Sequence, residues 1–217
     1  TLSLHDALPI FGRFLYKDDA EAQANHFFCE SGNSGDVWYD RGNVAYGSNK
    51  DKLIYVDGDS RKPVLPVPRE VENVTFASYN VFARVSNDTI LYLPAVEPRI
   101  YKCHGGQVEV LCELDFNNLW PDFSDVKKDN PLDLMRSIAE DGKIYSTNML
   151  SDGNDVAVSF FCKDDFYVMK FRYKDLSDHK LFKVDKNTLE SLGTLVSMKD
   201  GCLFFGEPGK LLKIRVD

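Results

Sequence analysis

The chain has 217 residues, of which 43% are hydrophobic and 28% charged. That is ordinary globular usage, and it excludes disordered, collagen-like and coiled-coil chains. Lys and Arg number 26 against 34 Asp and Glu, a formal net charge of −8, poorly suited to the phosphate backbone of nucleic acid. No apolar run approaches the roughly 20 residues of a membrane-spanning helix.

The first ten residues, Thr1 to Ile10, include no initiator Met. They lack the basic stretch and apolar core of a secretory signal. As a block they resemble the translation of a sequencing-adapter read. Residues 1–10 are therefore expected to be a non-native leader, and 11–217 a partial domain of a longer protein. A signal lost with the true N-terminus leaves export open.

From Phe11 onward, short apolar–aromatic runs alternate with turn residues. The 15 Phe and 10 Tyr favour strands over helices. Strands are predicted over 12–16, 25–30, 37–40, 53–57, 74–79, 81–85, 90–93, 99–103 and 108–116. Further strands are predicted over 143–147, 156–162, 166–173, 180–184, 194–198, 202–205 and 211–216. Gly105-Gly106 supplies the positive φ of a hairpin turn between the runs at 99–103 and 108–116. Lys163-Asp164-Asp165 joins a second hairpin. One short helix is predicted over 131–140. Asn130 caps it, Pro131 takes its first position, Leu132, Met135, Ile138 and Ala139 form its apolar stripe, and Gly142 closes it.

A pentapeptide, Asp-x-x-aliphatic-aromatic, recurs along the chain. It stands at Asp51–Tyr55, Asp88–Tyr92, Asp141–Tyr145 and Asp200–Phe204. Asp and a small residue suit a turn, and the aliphatic–aromatic pair suits a central strand buried on both faces. Repeats of about 40–50 residues with several strands each are the signature of propeller blades. The fold class expected is all-β, a β-propeller of about four blades, with a sandwich or open barrel as the alternative.

The segment from about 74 to 123 resembles the six-bladed β-propeller proteins of the Bacteroides type, a family mostly of uncharacterised function. The residues that carry the likeness are Asn87–Tyr92, Ile100-Tyr101, the Gly105-Gly106 turn, Leu114–Phe116 and Leu119–Phe123. The resemblance implies a six-bladed ring of which about two blades lie outside this chain. It also implies export to the cell envelope, periplasmic or outer-membrane-associated, often as a lipoprotein. It brings no catalytic residues.

No catalytic, cofactor-binding or metal-binding residue is assigned. Cys29, Cys103, Cys112, Cys162 and Cys202 form no C-x-x-C pair, and most lie among strand apolars as small hydrophobes. Counting back from the Gly105-Gly106 turn sets Cys103 opposite Val108 and Cys112 opposite Arg99, out of register for a bridge. His26, His104 and His179 stand at no ligand spacing, and His104 falls in an exposed turn. Asp57-Gly58-Asp59 and Asp152–Asp155 fail the calcium-loop test, which needs Gly sixth and an acid twelfth. They read as Asx turns. Asp115, Asp122 and Asp125 could form an acidic pair at a channel mouth. Asp88-Thr89-Ile90 resembles an O-glycosylation acceptor of exported Bacteroides proteins, overlapping the repeat.

Two function classes follow. One is a non-catalytic binding or scaffold module of the envelope, its ligand a protein, peptide or glycan, with Trp38 or Trp120 available to stack on a sugar. The other is a propeller enzyme of lactonase, lyase or glycosidase type, with acids at the central channel. No cofactor and no nucleic-acid partner is expected.

Overall fold

A computed structural model describes residues 27–31, 36–40, 51–66, 81–94, 97–117, 119–121, 140–162, 165–184, 194–207 and 210–215. Among the described residues, fifteen strands make up four antiparallel sheets, each built from consecutive strands. The first holds β1 (Phe27–Ser31), β2 (Asp36–Asp40), β3 (Asp51–Asp57) and β4 (Ser60–Pro66). The second holds β5 (Val81–Arg84), β6 (Thr89–Leu93), β7 (Arg99–His104) and β8 (Gln107–Glu113). The third comprises β9 (Ile144–Ser151), β10 (Asp155–Cys162), β11 (Asp165–Arg172) and β12 (Asp175–Val184). The fourth comprises β13 (Thr194–Lys199), β14 (Cys202–Glu207) and β15 (Lys210–Arg215).

The first strands adjoin one another in turn, β1 to β5, β5 to β9 and β9 to β13. The sheets therefore stack face to face around a shared inner side. Three apolar clusters fill the seams. Trp38 and Leu53 meet Ile90, Tyr92, Tyr101 and Cys103 between the first and second sheets. Leu91, Leu93 and Ile100 meet Met149, Val156, Val158 and Phe160 between the second and third. Ala157, Phe166 and Val168 meet Leu195, Met198, Leu203 and Phe205 between the third and fourth.

Alternation along a central strand produces this division. Ile90 and Tyr92 point to one seam, and Leu91 and Leu93 point to the other. All five residues of β6 are consequently buried, as expected of a strand covered on both faces.

Several expectations need correction. The pentapeptide does not mark one place in each sheet. It enters the third strand of the first sheet, the second strands of the second and fourth, and the first strand of the third. Its chemistry suits any buried strand that follows a tight turn, so its spacing is not the sheet period. Strand β4 escaped sequence reading because Ser60-Arg61-Lys62-Pro63 has neither apolar alternation nor β-formers.

Cys103 does face Val108, but Cys112 faces Ile100 and not Arg99. A bulge between Ile100 and Tyr101 shifts the register by one residue. The strands predicted over 12–16 and 74–79 lie outside the described residues. So does the helix over 131–140, apart from Glu140.

Candidate functional site

Antiparallel order puts the described turns β3–β4, β5–β6, β7–β8, β9–β10, β11–β12 and β13–β14 at one end of the sheets. That end is rich in carboxylates, and its loops are held by named bonds. Asp88 Oδ1 accepts the Ser86 hydroxyl at 2.7 Å and the Thr89 hydroxyl at 3.2 Å. The Ser86 bond leads in lowering the Asp88 pKa below its ordinary 3.8. His104 Nδ1 lies 3.0 Å from the Asp88 carbonyl oxygen and 3.6 Å from its carboxylate. The second and third strands of one sheet are thus tied at their exposed ends.

Other bonds cross the seams. Lys62 Nζ donates to the Gly106 carbonyl at 3.0 Å. The Gly201 N–H donates to Asp152 Oδ2 at 3.4 Å. Within the third sheet, Asp155 holds Lys170 at 3.3 Å and Arg172 at 3.7 Å. The loops are therefore fixed relative to one another, not merely attached to separate sheets.

The inner strands carry a second feature. Thr147 has no partner in β10, because Ser146 pairs Phe160 and Asn148 pairs Ser159. Val196 likewise has none in β14, because Leu195 pairs Phe205 and Ser197 pairs Phe204. These single-residue bulges lie on neighbouring inner strands. Asn148 Nδ2 joins them by donating to the Leu195 carbonyl at 2.9 Å. Behind the first bulge the Thr147 and Ser159 hydroxyls are 2.8 Å apart, and the Ser159 hydroxyl also donates to the Asn148 carbonyl at 3.3 Å. Bulges re-aim side chains and often sit beside functional sites. The polar run Ser146-Thr147-Asn148 inside an otherwise apolar strand was the sequence signal for this place.

The residues weighed from sequence are scattered. Trp38 is fully buried, 4.8 Å from the Tyr55 ring, and Trp120 stacks on Phe116 at 5.6 Å beside the second seam. Packing therefore engages both rings. Cys103 and Cys202 are buried thiols, and Cys112 and Cys162 are half-buried and free. Burial pushes the Cys112 thiol pKa up.

His104 is exposed as expected, and His179 Nδ1 lies 3.2 Å from the Leu176 carbonyl. His26, Asp122 and Asp125 lie outside the described residues, while Asp115 accepts the Asn117 N–H at 2.9 Å in an Asx turn. Thr89 of the glycosylation-like motif is 7% exposed, with its hydroxyl bonded to Asp88. Among the described residues, no group of three His, Cys, Asp or Glu is placed to hold a metal ion.

A family model described as a 6-bladed beta-propeller matches residues 13–198. The chain belongs to that family. Its four sheets are propeller blades, and the seams described above are blade interfaces.

No curated protein matches the chain significantly. Among solved structures it is similar to a protein of Bacteroides fragilis inferred to be exported, at 11% identity and a TM-score of 0.49. That match covers 82% of this chain and 53% of the other. It is also similar to streptogramin B lyase, at 15% identity and a TM-score of 0.44, covering 86% of this chain and 53% of the other. The chain thus spans about half the length of each.

Proposed function

We propose that this propeller is a non-catalytic binding module of the bacterial cell envelope, taking a protein, peptide or glycan on its turn-bearing end. The observation that carries the reading is the cross-blade fixing of that end. Lys62 with Gly106 and Asp152 with Gly201 lock loops of different blades into one surface, and loops on a rigid scaffold are where recognition concentrates. The family resemblance supports export and a lipoprotein anchor. The family match beginning at residue 13 supports reading residues 1–10 as foreign to the domain. Four blades in a six-bladed family support reading 11–217 as part of a larger ring.

The test is an array of envelope glycans and peptides probed with the full chain and with its Asp152→Ala variant. Binding by the parent that the variant weakens supports the module. Absence of binding, or turnover of ester, lactone or glycoside substrates, overturns it in favour of the propeller-enzyme reading.

A further inference from the structure

The seam between the first and second blades differs in chemistry from the other two. The buried members of the second seam are aliphatic side chains with Met149, Phe160 and Phe171. Those of the third are aliphatic side chains with Met198, Phe166 and Phe205. In the first seam, Trp38, Tyr92 and Tyr101 are three of the six buried members, so half of them carry an N–H or O–H. Trp38 is fully buried, and its indole Nε1 has no hydrogen-bond acceptor. The Tyr101 hydroxyl donates to Glu97 at 2.6 Å, just before β7 in its own blade.

A buried donor without a partner burdens the closed arrangement with its full desolvation cost, and water relieves that cost once the donor is uncovered. Parting the first and second blades uncovers Trp38 Nε1. The Tyr101–Glu97 bond lies on one side of the seam and survives. So do the Trp38–Tyr55 ring pair at 4.8 Å in the first blade and the Phe82–Tyr92 pair at 4.7 Å in the second. The third seam is instead bridged by a ring pair, Phe166 with Phe205 at 6.2 Å. Beside that seam the buried Ser159 hydroxyl donates to the Asn148 carbonyl at 3.3 Å. Trp120 Nε1, at the margin of the second seam, also lacks an acceptor, but its residue is only half-buried and meets water without the blades parting. Across the first seam, exposed Lys62 donates through Nζ to the Gly106 carbonyl at 3.0 Å. We infer that the first seam is the one at which this propeller parts, with Lys62 as its latch and the Trp38 indole N–H as the group that favours opening. The closed form stays the populated one, so the turn-bearing end keeps its shape. The open form presents two aromatic faces, Trp38 with Tyr55 and Phe82 with Tyr92.

Cys103 lies in this seam with no exposed surface, so its thiol reports the opening. Its labelling rate in the native full chain, divided by its rate in denaturant, gives an opening constant to set against the global unfolding constant from urea. Opening at Cys103 should exceed global unfolding by about tenfold or more, as sub-global opening does. Lys62→Met should raise the opening constant about threefold or more, because the closed form alone makes the Lys62 bond. Benzothienylalanine at position 38 keeps the shape of the indole and puts sulfur in place of its N–H. In a Trp120→Phe chain, which confines the replacement to that position, it should lower the opening constant about tenfold. Circular dichroism checks that each variant stays folded. A Cys103 constant equal to the global one overturns the inference. So does an opening constant that the sulfur isostere leaves unchanged.

Discussion

Tyr55 of the first blade lies against Gly106 in the β7–β8 turn of the second. A Cβ added at Gly106 would stand 2.8 Å from Tyr55 Cδ1, and the glycine φ is +70°. The neighbouring Gly105 has φ +51° with nothing within 4 Å of an added Cβ. The two glycines of one turn thus separate two effects, backbone strain alone and strain combined with a clash against a ring.

Gly105→Ala should destabilise the protein by about 1 kcal/mol, the lower end of the left-handed penalty. Gly106→Ala should destabilise it by about 2–4 kcal/mol, because overpacking adds to that penalty. Urea unfolding monitored by tryptophan fluorescence checks both. Equal losses would show that Tyr55 yields freely.

Phe205 is fully buried in the seam between the third and fourth blades, 6.2 Å from the Phe166 ring. Phe205→Ala should cost about 3–5 kcal/mol, as buried aromatic truncations do. Leu211→Ser, two residues into β15 and exposed, should stay within about 0.5 kcal/mol. Thermal unfolding of the two variants side by side reads the contrast.

Two groups titrate away from their ordinary values in opposite directions. Asp165 accepts from Lys183 Nζ at 2.7 Å, and that bond leads in holding its carboxyl below 3.8. Its contribution to stability is present above the unfolded value and is lost as pH falls through the folded one. A carboxyl-detected NMR titration should therefore find a midpoint under 3.8 that returns upward in Lys183→Met. Tyr101 behaves conversely. Burial first, then its 2.6 Å bond to Glu97, raises its phenol above 10.0. Its contribution is present below the unfolded value and is lost as pH rises through the folded one. Ultraviolet difference spectra should show Tyr101 ionising after the exposed tyrosines, and Tyr101→Phe should remove that late step.

The described thiols should be slow to react. Cys103 and Cys202 are buried, and burial raises the Cys112 pKa. The thiolate is the nucleophile, so both effects suppress modification. A thiol reagent should label Cys103, Cys112 and Cys202 slowly in the native chain and at once in denaturant. Fast native labelling mapped to Cys112 by mass spectrometry would contradict the packing around it.

The β architecture was legible because its seams are written locally. Leu91 and Leu93 alternate with Ile90 and Tyr92, and both pairs are apolar because both faces of β6 are covered. Fourteen of the fifteen described strands overlap a stretch that its apolar and aromatic residues mark as a strand. β4 does not, because an outer strand needs little apolar surface and Pro63 breaks the β pattern. The Cys112 register was not legible, since a bulge between Ile100 and Tyr101 leaves no mark in a run of β-formers. At the candidate site, Asp88 and Asp152 were readable as turn residues. Their partners were not, because the Gly201 N–H reaches Asp152 only once the third and fourth blades are stacked.

Each of the three apolar seams joins only blades adjacent in sequence. Taken by themselves, the four described blades behave as a one-dimensional chain of units coupled to nearest neighbours. A defect at an end seam releases one blade and leaves the others covered. A defect at Phe160 or Leu91, in the middle seam, divides the stack into two pairs, each keeping a single seam. The middle seam thus acts as a mechanical fuse between two halves. Amide exchange should register its loss as a two-blade opening, while damage at Phe205 frays the fourth blade alone.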